Sequence, residues 1–433
     1  MSPTGHERLC TDLHPPLSLH EARVEAERCY FCHDAPCVTA CPTGIDVPLF
    51  IRQIATGRET GAGRTILDEN VFGGMCARVC PTETLCEEAC VRNTAEERPV
   101  RIGELQRHAT DALMATDPAP FTRAKATGRR VAVVGAGPAG LSCAHRLAVH
   151  GHDVAVFDSL PKPGGLNEYG IAAYKAVDAF AQREIDWILS VGGIEVTHDT
   201  VLGVDVTLAD LARDFDAVFL GLGLGATNAL DVDGANLVGV EDAIDFIARL
   251  RQADDVTALD PGERVVVIGG GMTAIDAAVQ SRLLGAEEVT VAYRRGEARM
   301  NASGYERQLA QTSGVSIRTH LSPARVLGED GRVTGVELDR MEERDGALAS
   351  TGETLTIPCD RVLKAIGQLF VPYPHGEPLA LDGRRLAVDG ERRTSDPRVW
   401  AGGDCAATGE DLTVAAVQDG KLAAESIHRT LSA

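Results

Sequence analysis

No apolar run in this 433-residue sequence approaches the roughly 20 residues that span a bilayer. The opening stretch, MSPTGHERLCTDLHPP, holds neither an apolar segment nor a small-residue cleavage site. Neither a membrane anchor nor secretion is therefore expected, and the expected location is cytoplasmic. Thiols stay reduced there, so clustered cysteines bind metal more often than they form disulfides. Positive charge is also short: Lys+Arg number 42 against 63 Asp+Glu, for a net charge of −21. Such a surface repels nucleic acid and anionic membranes, and no nucleic-acid or membrane partner is expected. It suits a solvated acidic surface or the steering of a basic protein patch. Hydrolytic and calcium signatures are missing too, with no HExxH, no GxSxG and no DxDxDG loop. What remains is ordinary globular composition, 44% hydrophobic and 24% charged, in a chain too long for one core. Two or three domains are expected.

Against these absences stands an excess of cysteine near the N-terminus. Nine of the twelve cysteines lie in the first 90 residues, eight of them in two groups: Cys29, Cys32, Cys37, Cys41 and Cys76, Cys80, Cys86, Cys90. Cys143, Cys359 and Cys405 stand apart among apolar or turn residues and read as small buried side chains. Structural zinc wants two close CxxC pairs, and only Cys29/Cys32 has that form. A pair of [4Fe–4S] clusters uses soft thiolates, and CxxC lets one loop reach two corners of a cubane. The ferredoxin run ends in Cys-Pro, an ending shared by Cys41-Pro42 and Cys80-Pro81, although four residues separate Cys32 from Cys37 where that run has two. Iron–sulfur is the favoured reading over zinc. Between the groups, IDVPLFIRQIATG and GAGRTILDEN repeat apolar residues at helical intervals.

The segments RCYFCHDAPC, ACP, NVFGGMCARVCPTETLCEEAC and RIGELQRH together resemble the N-terminal iron–sulfur domain of dihydropyrimidine dehydrogenases. The likeness extends to the flavin-bearing subunit of the bacterial two-subunit, NAD-dependent enzyme. It implies ligands interleaved between the groups: Cys29, Cys32, Cys37 and Cys90 on one cluster, Cys41, Cys80 and Cys86 on the other. It also implies a glutamine as the fourth ligand of the second cluster, which falls on Gln106, with Cys76 a close neighbour. A thiolate is the better iron ligand on chemical grounds, so Cys76 stays open as the alternative.

Two dinucleotide signatures follow the linker ATDPAPFTRAKATGR. In RRVAVVGAGPAGLSCAHRLAVHGHDVAVFDS a short β run enters Gly135, Gly137, Pro138, Ala139 and Gly140 in GxGxxG spacing, and a helix follows. The glycines permit the tight turn, backbone approach to pyrophosphate, and close packing of helix on strand. Phosphate then meets a helix N-terminus. Asp158 ends the next strand, where it suits a ribose hydroxyl. The pattern recurs at VVVIGGGMTAIDAAV, with Gly269, Gly271, Met272, Thr273 and Ala274. Its second strand, VTVAY, ends without an acid and runs into Arg294 and Arg295, which can accept a 2′-phosphate. NADH and NADPH both remain open.

Further on, TSDPRVWAGGDCA, with Gly403 and Asp404, resembles the second FAD motif of disulfide-reductase-like flavoproteins. In PGGLNEYGI, Gly165 and Leu166 resemble a loop lying against the flavin, and Thr413 opens a helix whose N-terminus is expected near the isoalloxazine. The expected architecture is α/β: an N-terminal helical [4Fe–4S] domain, then two Rossmann-like domains with the NAD(P) domain inserted in the FAD domain. The boundaries are 1–120 for the iron–sulfur domain, 128–228 and 365–433 for the two parts of the FAD domain, and 229–364 for the NAD(P) domain. Nicotinamide gives hydride, a cluster passes single electrons, and flavin handles both, so the expected order is NAD(P)H, FAD, clusters. No FMN barrel follows in this sequence, so the resemblance implies a hetero-oligomer with a PreA-like catalytic partner bearing FMN and iron–sulfur clusters. The alternatives are the small subunit of NADPH-dependent glutamate synthase, a related transhydrogenase subunit, or a zinc-stabilised interaction module fused to a diaphorase. Glutamate synthase relatives usually place three residues between the cysteines matching Cys80 and Cys86, whereas CPTETLC has five.

Overall fold

The computed structural model describes residues 5–116, 120–344, 346–373, 379–408 and 410–433. Residues 1–4 and 117–119, the latter in the expected linker, lie outside that description. The chain divides into two compact units.

One unit comprises His14–Glu168, Asp178–Gly225 and Phe370–Ala433. Its first part is helical, with Leu19–Ala26, Val47–Ala55, Glu59–Glu69, Gly73–Val79 and Ile102–Met114 as the main elements. Ser18 caps the first of these in a reciprocal box with Glu21, and Asp46 caps the second ahead of Pro48. The apolar intervals in the sequence become a core of Phe50, Ile51, Ile54, Ile66, Ile102 and Leu105. Cys29, Cys37, Cys41, Cys86 and Cys90 pack on that core. Iron ligands on this wall would be held by burial as well as by the backbone.

The second part of the same unit is a five-stranded parallel sheet. Its order is Val399–Ala401, Ala217–Leu220, Arg130–Val134, Asp153–Phe157, Ile194–Thr197. The VAVV run is buried throughout, as a strand covered on both faces requires. Pro138–Val149 crosses over from the first strand, and the C-terminal helix Thr413–Ser432 packs against it. A Cβ on Gly420 would stand 2.1 Å from the Ala139 carbonyl oxygen, so the two helices touch through backbone. Residues 121–127, ahead of this sheet, are tied down. Ala124 and Thr127 donate to the Val149 and Gly151 carbonyls, and the Phe121 ring meets His145 edge-on.

The other unit comprises the residues through Leu13, Tyr169–Val177 and Ala226–Leu369. It repeats the parallel design in the order Val240–Asp242, Arg361–Ala365, Arg264–Gly269, Glu288–Tyr293, Ser316–Thr319. Antiparallel strands Leu321–Glu329, Arg332–Arg344 and Ala347–Pro358 form a second sheet. Where the chain enters and leaves, Ala226 and Thr227 pair with Leu369 and Gln368. Leu9 is fully buried in this unit's core beside Ile275 and Phe246.

Candidate functional site

The eight clustered cysteines fall into two neighbourhoods. Cys29, Cys32, Cys37 and Cys90 line one pocket, walled by Val47 and Ile51 among others. Their loops are tied from outside: Phe31 takes a left-handed φ of 52°, with the Arg52 guanidinium 4.8 Å from its ring centre. Burial pushes the Cys37 thiol up to about 12, and repulsion from Cys29, Cys90 and Cys32 adds to it. Cys80 and Cys86 form the second neighbourhood with Cys41. Burial holds both thiols well above the ordinary value, and the charge of Cys41 acts on each. Buried thiols of this kind become thiolates when a cation sits among them, which is the condition iron supplies. Among the described residues, no three His, Cys, Asp or Glu side chains converge tightly enough for a single ion. A cubane spreads its ligands wider, so shared pocket and separation agree with soft cluster ligands better than with one tetrahedral zinc.

Gln106 is buried on the helix Ile102–Met114, and its amide nitrogen donates to the Gly73 carbonyl at 2.8 Å. That leaves the amide oxygen, the atom an iron would take, as its other polar end. Cys76 is fully buried and close enough to Cys80 and Cys41 for their charges to interact. Cys76 thus borders the second neighbourhood, and Gln106 is tied to the start of the helix that carries Cys76. His33, in the loop after Cys32, is solvated and bonds to Asp34. Cys143, Cys359 and Cys405 are buried in the two α/β folds, far in sequence from these groups.

The first dinucleotide turn is built by exclusion. Gly135 has φ 98°, and a Cβ there would lie 2.2 Å from the Gly221 carbonyl oxygen; on Gly140 it would lie 1.8 Å from that of Gly135. Gly137 is different, since a Cβ would meet nothing closer than Gly165 Cα at 3.9 Å. The protein leaves that side open, which is the approach a pyrophosphate needs. The helix behind it, Pro138–Val149, starts at Gly137 with no side-chain cap, so its first N–H groups remain for an anion. Both oxygens of Asp158 are engaged, one by the Ala136 N–H and one by that of Leu160 at 2.8 Å. The expected ribose acceptor is therefore also the clamp that shapes the loop.

The later motifs come to the same place. Gly403, at φ 71°, stands against Ala139, where a Cβ would approach its methyl to 3.0 Å. Burial, with help from Asp411, pushes the Asp404 carboxyl up to about 6 against the pull of Arg385. Thr413, first residue of the C-terminal helix, donates to Asn167 at 2.8 Å, beside Gly165 and Leu166. Leu166 is exposed, an apolar contact left for a ring. Fingerprint, Asp404 motif, Gly165 turn and an uncapped helix end thus frame one cradle, and its residues fit FAD.

The second turn follows the same plan in the other unit. Gly269 has φ 146°, with a would-be Cβ 2.2 Å from the Ala365 carbonyl oxygen. Gly270 lies under the Tyr293 ring, which a Cβ would meet at 2.5 Å. Gly271 faces open space and begins the uncapped helix Met272–Leu284, which carries Thr273 and Ala274 in its first turn. Arg294 and Arg295 are exposed just past the strand Glu288–Tyr293. Neither pairs with a described carboxylate, so both remain for phosphate. The residues fit a nicotinamide dinucleotide.

Sequence spacing gave no hint of three positioning residues. Asp419 is buried and accepts from the Gly403 N–H at 2.9 Å, Thr408 at 2.7 Å and Arg392 at 2.7 Å, fixing the Asp404 turn. Glu87 accepts from the Gly103 N–H at 3.0 Å, joining the Cys86 loop to the helix of Gln106. Lys421 donates to Glu69 at 2.7 Å and to the carbonyl of Thr43, two residues after Cys41. That contact lies eight residues, about 12 Å, along the helix that begins at Thr413. The segment just after Cys41 therefore packs on the helix that begins at Thr413.

Comparison with known proteins agrees with this geometry. Residues 129–420 match the family described as pyridine nucleotide-disulphide oxidoreductase. Residues 7–118 match the one described as dihydropyrimidine dehydrogenase domain II, 4Fe-4S cluster. The chain is 35% identical over 442 residues to the glutamate synthase [NADPH] small chain of Escherichia coli (strain K12), covering 96% of this chain and 93% of that one. It is 34% identical over 408 residues to the NAD-dependent dihydropyrimidine dehydrogenase subunit PreT of Salmonella typhimurium, covering 94% of each. Among solved structures, Mycobacterium tuberculosis FprA in complex with NADPH shares the fold. Its TM-score is 0.60 at 20% identity, over 70% of this chain and 84% of that one. The chain belongs to the pyridine nucleotide-disulphide oxidoreductase family, as an NAD(P)H-dependent flavin and 4Fe-4S electron-transfer subunit.

Proposed function

We propose that this chain is the electron-input subunit of a two-component dihydropyrimidine dehydrogenase. It passes electrons from NAD(P)H through FAD and two [4Fe–4S] clusters to an FMN-bearing, PreA-like partner that reduces uracil or thymine. The observation that carries this reading is CHDAPC together with CPTE in the loop CPTETLC. The five residues between Cys80 and Cys86 disfavour the glutamate synthase type, and the transhydrogenase type, which also has five, usually begins CPQE. The relative named as a dihydropyrimidine dehydrogenase subunit, matched over 94% of this chain, supports it.

In this reading Cys29, Cys32, Cys37 and Cys90 hold one cluster around their shared pocket. Cys41, Cys80 and Cys86 hold the other, with Gln106 as fourth ligand. When bound, nicotinamide supplies hydride, flavin converts pairs of electrons to single ones, and clusters carry these one at a time. The chain's own residues bind and orient. Gly137 and Gly271 admit phosphates to uncapped helix ends. Asp404 would accept a hydrogen bond from a ribitol hydroxyl. Asp158 would accept from a ribose hydroxyl while holding the Ala136 N–H.

Purified chain with NADH or NADPH should reduce artificial dyes and leave uracil untouched, and uracil-dependent NAD(P)H oxidation should appear on adding an FMN-barrel partner. A second reading is supported by the 35% identity to the glutamate synthase small chain. In that case the partner that restores turnover is a large amidotransferase subunit, with glutamine and 2-oxoglutarate as substrates. Uracil turnover by the chain alone would overturn the division of labour between an electron-input subunit and a catalytic partner.

A further inference from the structure

The helix Phe180–Leu189, in the stretch between the two dinucleotide signatures, turns Phe180, Ala181, Glu184, Ile185 and Ile188 inward. Glu184 is thus a carboxyl at an apolar position, with no exposed surface. Its Oε1 accepts from the backbone N–H groups of Gly74 at 2.8 Å and Met75 at 3.1 Å, and Oε2 accepts from Met75 at 3.2 Å. Those donors open the short helix Gly73–Val79, which carries Cys76 and delivers the chain to Cys80. The approach is as close as glycine allows. A Cβ on Gly74 would stand 2.7 Å from Glu184 Oε1 and 2.6 Å from Phe180 Cζ.

The groups facing Glu184 do not neutralise it by direct contact. Arg78, on the cysteine helix, donates to the Gly74 carbonyl at 3.0 Å and to Asp111 at 2.8 and 2.9 Å, and stacks 3.4 Å from the Phe180 ring centre. On the helix Ile102–Met114, Asp111 also takes Arg107 at 3.4 Å. The guanidinium of Arg183, on Glu184's own helix, lies 5.5 Å from the centre of the same ring. The remaining titratable neighbour is the Cys76 thiol, which feels the charge of both Glu184 and Cys41. Burial, against the Met75 and Gly74 N–H groups and Arg78, pushes the carboxyl up to about 8.

We propose that Glu184 is a positioning residue with a proton-linked role. It holds the cysteine helix by its first N–H groups and, in alkaline solution where it is ionised, it takes one proton from solvent when one electron reaches the cluster of Cys41, Cys80 and Cys86. The electron comes from NAD(P)H, the carboxylate becomes a carboxylic acid, and net charge in the buried neighbourhood stays constant. The physical reason is that an added electron raises the cost of an ionised carboxyl nearby in a low-dielectric interior. The inference rests on the clusters being held by these cysteines, which iron content reports separately. It does not depend on the final substrate.

The test is a redox titration of the anaerobically prepared holoprotein, following the reduced clusters by electron paramagnetic resonance across a pH series. One midpoint should stay level below pH about 8 and fall above it. There, each tenfold drop in proton activity shifts the oxidised-to-reduced ratio up to tenfold, about 59 mV for one electron. Glu184→Gln, with iron content at wild-type level, should keep the low-pH midpoint and lose the slope, whereas Glu184→Asp should retain a slope. Should the Gln variant not hold iron, the reduced-minus-oxidised infrared spectrum of the wild type above pH 8 decides. A newly protonated carboxylic acid carbonyl supports the proposal, and no such band overturns it. A wild-type midpoint level up to pH 10, or a slope that survives in Glu184→Gln, overturns it equally.

Discussion

The two dinucleotide turns obey one rule and then diverge. In both, the first glycine is fixed by a carbonyl at the end of the neighbouring parallel strand: Gly221 acts on Gly135, and Ala365 on Gly269, each 2.2 Å from a would-be Cβ. In both, the middle glycine of the motif has no close neighbour: a Cβ would meet nothing within 4 Å at Gly271 and only Gly165 Cα at 3.9 Å at Gly137. The third position separates them. Gly140 lies so close to Gly135 that a methyl would sit 1.8 Å from its carbonyl oxygen, whereas Ala274 carries its methyl fully buried. After the second strand, one turn has an acid tied to backbone and the other two exposed arginines. The helix interiors differ as well. Pro138–Val149 closes by small residues, Ser142 bonding the Val417 carbonyl at 2.8 Å, while Met272–Leu284 buries Asp276 against Lys175 at 2.7 Å. A shared fingerprint thus specifies the phosphate approach, while each half solves its own packing separately.

That contrast can be broken most severely at Lys175. Its ammonium is buried and lies 2.7 Å from both Asp276 and Glu306, and Tyr174 donates to Asp276 at 3.1 Å. Burial alone would lower its pKa, but the two carboxylates raise it further. Lys175→Met should leave two facing buried acids and destabilise the nicotinamide-type unit by about 3–5 kcal/mol. Hydrogen exchange should show the loss there and spare the flavin-type sheet; protection lost evenly across both units would contradict it. Next comes the third glycine. Gly140→Ala should cost about 3 kcal/mol and empty the flavin site, seen as lost FAD absorbance after gel filtration. Ala274→Gly should cost about 1 kcal/mol and keep NAD(P)H binding. Equal effects in the two variants would erase the distinction. The mildest expected change is at the arginines. Replacing Arg294 and Arg295 together by Ala should raise the KM for NADPH about tenfold, near 1.4 kcal/mol, with that for NADH unchanged; equal loss for both coenzymes would assign them to adenine or surface contacts.

Sequence made the two α/β folds legible because their glycines and buried β runs are local signals, and VAVV and VVVIG are strands as read. The helices between the cysteine groups were legible for the same reason, with IDVPLFIRQIATG folding as Val47–Ala55 behind an Asp46 cap. Other features were not local. Glu184 and the Gly74 N–H it accepts are 110 residues apart, and no spacing rule joins them. The one available sign was a carboxylate at a core phase of FAQREIDWIL. Asp419 looked like an ordinary charge on the last helix, yet it holds Gly403. The glycine pair in NVFGGMC belonged to a recognised motif, but its reason is visible only in three dimensions. A Cβ on Gly73 would meet Ile66 at 2.6 Å, and one on Gly74 would meet the helix of Glu184.

The cysteine-bearing helices and the flavin-type sheet share one compact unit, joined by Lys421 to Glu69 and by Glu184 to Gly74 and Met75. Occupancy at one place therefore reinforces retention at the other, since a ligand that favours the folded unit deepens its free-energy well as a whole. Stripping the isoalloxazine should accelerate iron loss, and reconstituting it should slow that loss, with no atom exchanged between the two prosthetic groups.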